Sequence, residues 1–93
     1  MTHILELADF KPRHRAVLEA IGNGSATPGA IAAAIDKTPG AVSRILFDLT
    51  EGGAVAYRGA DGHRRYEVSP GGRDLLERDE FAQNRVEGVP VEA

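Results

Sequence analysis

The 93-residue chain has no cysteine and no tryptophan, and only one methionine, two tyrosines and three phenylalanines. Without cysteine there can be no disulfide, thiolate metal site, iron–sulfur cluster or cysteine nucleophile. Lysine is scarce too, with two against nine arginines. That bias, alongside abundant alanine and glycine, fits either a GC-rich genome or a halophile with a lysine-poor surface. Long hydrophobic runs are also missing. None approaches the ~18 residues of a membrane span, and the N-terminus has no basic-then-apolar leader pattern. A cytoplasmic protein with no membrane partner is the expectation.

The length allows one domain, since domains run to about 100–150 residues. Apolar residues make up 42% of the chain, but 14 of them are alanine, so large core side chains are few. A chain this short hides only roughly 60–65% of its unfolded surface, which makes a homodimer a natural remedy. The net charge of −3 is unevenly spread. Residues 37–73 hold six bases and four acids, whereas residues 74–93 hold two bases and six acids. The middle of an acidic chain is therefore locally basic.

Punctuation along the chain predicts its elements. Pro12 suits the first turn of a helix that carries Val17, Leu18 and Ile21 and stops at Gly22-Asn23-Gly24. A repeated device follows, Thr27-Pro28-Gly29-Ala30-Ile31 and Thr38-Pro39-Gly40-Ala41-Val42, in which threonine caps and proline opens a helix. The first helix runs from Pro28 to Ile35 with Ile31, Ala34 and Ile35 inward. The second runs from Pro39 to Glu51 with Val42, Ile45, Leu46 and Leu49 inward, and the tight turn at Asp36-Lys37 makes the pair a helix-turn-helix. Residues 54–58 and 64–68 read as the arms of a hairpin tipped by Asp61-Gly62. Ser69-Pro70 opens a last helix with Leu75, Leu76 and Phe81 inward. The fold class is mainly α with a small β-hairpin, in the order ααα-ββ-α. Residues 1–11 form an N-terminal extension, 12–69 the central domain, 70–87 the last helix and 88–93 a loose tail.

Chemistry-bearing constellations are weak. His3, His14 and His63 lack metal-ligand spacing, so no metal or other cofactor is expected. Gly22-Asn23-Gly24 lacks the strand that precedes a dinucleotide-binding loop. Asn23-Gly24-Ser25 is a formal glycosylation sequon without a secretory route. No nucleophile–base pair stands out, and the chain does not read as an enzyme.

The stretch Thr38-Pro39-Gly40-Ala41-Val42-Ser43-Arg44-Ile45-Leu46-Phe47-Asp48-Leu49, then Gly52-Gly53-Ala54-Val55, then Asp61-Gly62-His63-Arg64-Arg65-Tyr66-Glu67-Val68-Ser69-Pro70, resembles a winged helix-turn-helix. The likeness covers residues 12–77 and is to small prokaryotic, archaeal or viral DNA-binding transcription regulators, with a MarR-like wing. Ala41 replaces the usual threonine or serine, and Val68-Ser69-Pro70 stands for Leu-Thr-Pro. MarR-like proteins are usually longer, with extra dimerisation helices for which this chain has little room. The resemblance implies a sequence-specific regulator of double-stranded DNA, a dimeric repressor, with helix 39–51 in the major groove and wing 54–68 at the adjacent minor groove or backbone. The alternative is a winged helix serving as a protein–protein module in a transcription or chromatin assembly, which the net acidity favours.

On that reading Pro39, Gly40, Ser43, Arg44 and Phe47 face outward. Arg44 is the candidate base reader, because its fork suits guanine O6 and N7, with an ion pair to Asp48 as the competing role. Ser43 is a candidate donor to a phosphate or base. Phe47 either touches a thymine methyl or packs under the wing. Thr38, Lys37 and the N-termini of both helices favour phosphate. Gly29 and Gly40 permit close backbone approach, or are merely tolerated. Arg58, His63, Arg64 and Arg65 make the wing basic, with Arg64 and Tyr66 on one face and Arg65 and Glu67 on the other. Thr27, Arg13 and Arg15 are candidates for flanking backbone contacts. Leu75, Leu76 and Phe81, with Ile4, Leu5 and Leu7, are candidates for dimerisation. Nothing in the sequence identifies an effector ligand.

Overall fold

The computed structural model describes residues 9–60 and 63–86, without the side chains of 81–86. Its order is α1 (Pro12–Gly22), α2 (Pro28–Ile35), α3 (Pro39–Glu51), β1 (Val55–Arg58), β2 (Arg65–Val68) and α4 (Pro70–Val86). The expected ααα-ββ-α architecture is therefore present, with each strand starting one residue later than its alternation suggested. Ile4, Leu5, Leu7, the hairpin tip Asp61-Gly62 and the tail 88–93 lie outside the described residues.

Local chemistry sets the helix ends. Thr27 Oγ1 accepts a hydrogen bond from the Ala30 N–H, and Thr38 Oγ1 accepts one from the Ala41 N–H, each at 3.2 Å. Each cap satisfies one of the N–H groups that a helix start leaves unpaired, worth about 1 kcal/mol. Asp36 turns the chain out of α2 in the left-handed region (φ 58°), which aspartate tolerates better than most residues. This single tight residue brings α3 across α2. The last helix starts on Ser69, whose Oγ donates to the Gly53 carbonyl at 2.6 Å and accepts from the Gly72 N–H at 3.2 Å. Gly72 fits there because any Cβ would collide with the Ala54 carbonyl. The start of α4 is thus pressed against the entry to the wing.

The core lies between the three N-terminal helices and extends under the wing. Val17, Leu18, Ile31, Val42, Leu46 and Leu49 are fully buried, and each contributes about 1.5–3 kcal/mol. Ala34 is exposed, contrary to expectation, and Ala32 is buried instead. The cause is that α2 packs on both α1 and α3, which rotates its inner stripe onto Ile31, Ala32 and the half-buried Ile35. Phe10, which precedes any periodic segment, closes the core beneath α1. Leu75 is also buried, with Leu76 half-buried beside it, so Leu75 packs into this chain's own core. Arg15, a candidate for DNA backbone, instead bonds Glu19 at 2.8 Å and Asp79 at 2.7 Å, tying α1 to α4.

One imidazole is enclosed among the described residues. His14 is 3% exposed and stacks on Phe10, with ring centroids 6.0 Å apart. Its Nδ1 accepts the Lys11 N–H at 2.8 Å, which places the imidazole proton on Nε2, 4.0 Å from Asp48. Burial, helped by the Arg13 charge, lowers the His14 pKa below its ordinary 6.5 despite the pull of Asp48. The unfolded chain therefore takes up this proton at higher pH than the folded chain. Stability from neutral His14 is complete above 6.5 and falls as pH drops through the lowered folded value. Urea denaturation between about pH 7.5 and about pH 5 is expected to show this decline, and His14→Gln is expected to flatten it.

Candidate nucleic-acid interface

Burial of one stripe of α3 dictates what the opposite stripe presents. At about 100° per residue, Val42, Ile45, Leu46 and Leu49 cluster on one side, and Gly40, Ser43, Arg44 and Phe47 on the other. The first four are buried and the second four exposed. Phe47 is 64% exposed, so it does not pack under the wing. Nor does Arg44 pair with Asp48. Among the described residues Asp48 reaches His14 and Arg44 has no ion-pair partner. The guanidinium of Arg44 is left to solvent on the outward stripe.

The wing stands beside this stripe. Tyr57 lies opposite Tyr66 in the antiparallel pair, their ring centroids 5.5 Å apart. The Arg64 guanidinium lies over the Tyr57 ring, 4.2 Å from its centroid, a cation–π contact that holds the side chain in place. Alternation thus sorts the wing as expected. Tyr66 is buried and Arg64 half-buried on one face, and Arg65 and Glu67 are exposed on the other. Arg58 is 83% exposed and lies 3.9 Å from Glu67, a contact too exposed to anchor it. The tyrosine platform for Arg64 escaped the sequence reading, although aromatic residues directly opposite in a hairpin are its signal.

A backbone hydrogen bond positions the hairpin. The Tyr66 N–H donates to the Ala26 carbonyl at 2.7 Å, fastening β2 to the segment that leads into α2. At the far end Gly59 turns with φ 97°, and a Cβ there would lie 2.6 Å from the His63 carbonyl oxygen. Between the wing and the helix pair opens a groove of about 470 Å³, lined by Thr27, Pro28, Ser43, His63, Arg64, Arg65 and Tyr66. Among the described residues that line it, none is acidic. A separate recess of about 290 Å³, formed by Asp9, Lys11, Arg13, His14, Asp48, Glu51 and Gly52, mixes acids with bases. The structure thus brings Thr27, Ser43, His63, Arg64 and Arg65 to one groove, with Arg44 on the adjoining helix face. Lys37, Thr38 and Pro39 are exposed around the α3 N-terminus, and Arg13 lines the separate recess away from the groove.

A family model described as the MarR family matches residues 8–65. No curated protein matches the sequence. Among solved structures the chain is similar to a MarR family transcription regulator at 27% identity and a TM-score of 0.66, over 86% of this chain and 59% of that one. It is similar in fold to oxidised MarR from E. coli, at 19% identity and a TM-score of 0.68, over 90% of this chain and 67% of that one. It is likewise similar in fold to a DNA complex of Staphylococcus aureus MepR, at 22% identity and a TM-score of 0.65, over 89% of this chain and 67% of that one. The chain spans about three fifths to two thirds of the length of these proteins.

The glycines at the two helix starts separate folding from recognition. A Cβ at Gly29 or Gly40 would meet nothing within 4 Å, so the fold does not require glycine at either position. Gly29→Ala and Gly40→Ala are expected to leave stability unchanged or raise it by about 0.4–1 kcal/mol, as read by thermal denaturation.

Proposed function

Because the chain belongs to the MarR family, we propose that it is a sequence-specific regulator of double-stranded DNA, a repressor that acts in the cytoplasm as a homodimer. Helix α3 enters the major groove with Ser43 and Arg44 at the base edges, while the wing places Arg58, His63, Arg64 and Arg65 along the adjacent minor groove or backbone. Thr27, Lys37, Thr38, Pro39 and Gly40 meet phosphates at the two helix starts, with Arg13 at the flank. The observation that supports this most is the shared groove. A groove with no acid among its described lining residues joins the exposed stripe of α3 to the wing, in a chain whose net charge is negative.

Charge segregation gives the reading a physical basis. Affinity for a duplex depends on the local field at the contact, and neutralised phosphates release counterions whatever the charge elsewhere. What supports a dimer is the scarcity of large core side chains and the small number of bases that one copy presents. Two copies joined through α4 would place their α3 helices about 10 bp apart, or a multiple of that, on one face of the duplex.

Arg44 and Arg65 test the reading cleanly, since both are exposed, whereas Arg64 also packs the wing. On a duplex selected from a randomised pool, fluorescence anisotropy is expected to show Arg44→Ala costing about 1–3 kcal/mol and relaxing preference at one base pair. Arg65→Ala is expected to weaken all duplexes alike and to make the salt slope about 0.9 shallower if it meets a phosphate. Folded wild-type protein that selects no duplex would contradict the proposal and favour the protein–protein module.

A further inference from the structure

The most exposed large apolar side chain among the described residues lies on the side of α3 opposite the core. Phe47 lies about 20° from Gly40 around the α3 axis, between Ser43 and Arg44. It is 64% exposed and contributes little to the fold. Single exposed apolar residues are common on protein surfaces, so exposure alone says little. Its position says more. Phe47 is one helical turn, about 6 Å, beyond Ser43 on the stripe that also presents Arg44.

Polar groups surround this ring on the face assigned to DNA, and a phenyl ring can neither donate nor accept a hydrogen bond. In the major groove the one apolar feature on the base edges is the C5-methyl group of a pyrimidine. Resting on the proposed function above, we propose that Phe47 reads a pyrimidine C5-methyl, making it a specificity-determining residue adjacent to the base pair contacted by Arg44. The methyl belongs to thymine in unmodified DNA and to 5-methylcytosine in methylated DNA, and either presents the same apolar surface to the ring. The favourable term is burial of the methyl against the phenyl face, which hydrogen bonding to the base does not replace.

Deoxyuridine removes that methyl and leaves every hydrogen-bonding group of thymine intact. Replacing each thymine of the selected duplex in turn is expected to reveal one position per half-site where binding weakens about four-fold, the effect of exposing one methyl. Phe47→Ala is expected to abolish that difference while keeping its fold by circular dichroism, and Phe47→Leu to retain most of it. With a G·C pair at the same position, 5-methylcytosine is expected to bind about four-fold tighter than cytosine. Selective binding with no Phe47-dependent methyl effect would overturn this inference and leave the DNA reading standing. Failure to select any duplex would overturn both. A Phe47→Ala variant that binds DNA as wild type but no longer dimerises would overturn it in favour of a second copy as the occupant of this face.

Discussion

Val42, Ile45, Leu46 and Leu49 hold α3 against α1 and α2, and that packing decides what the rest of the molecule can present. A helix cannot turn one side inward without turning the other outward. Rotating α3 by even one residue would expose part of an apolar stripe and bury Arg44, at a cost far beyond any gain at the surface. The outward identity of Gly40, Ser43, Arg44 and Phe47 is thus a consequence of the core. The caps at Thr27 and Thr38 and the left-handed Asp36 fix where that helix begins, and so where its exposed N-terminal turn lies relative to α2.

The wing depends on the same core from the other end. Ala54 and Val55 are buried beside Leu49, and Tyr66 is bonded through its N–H to Ala26. Ser69 and Gly72 then press the start of α4 onto the strand entry. A hairpin of two strands is marginal on its own, so these anchors let it project arginines at a defined angle. Arg64 shows the principle on a small scale. Stacked on Tyr57, it loses less side-chain freedom on meeting a ligand than a freely rotating arginine would.

Local features were the legible ones. Threonine–proline starts, glycine stops and the 3.6-residue stripe of α3 are written in residues within a turn of each other, so the element order and most of the core followed from them. The outward stripe and the basic wing were legible for the same reason. What escaped depends on partners distant in sequence. Ala32 replaced Ala34 because α2 must face two helices at once, and Arg15 was drawn away by Asp79, 64 residues along the chain. Phe10 belongs to no periodic segment, and His14 is buried by packing that no local pattern announces. At Phe47 the sequence left two roles open, and only the observed position of the wing decided between packing and exposure.

The proposed function requires α3 of each of two copies to occupy a major groove on one face of the duplex. Methylation interference on a selected duplex tests it directly, because guanine N7 lies in the major groove and adenine N3 in the minor groove. Interference by N7-methylguanine in two patches centred about 10 bp apart, or a multiple of that, is the predicted result. Interference confined to adenine N3, or a single patch with no counterpart, would contradict it.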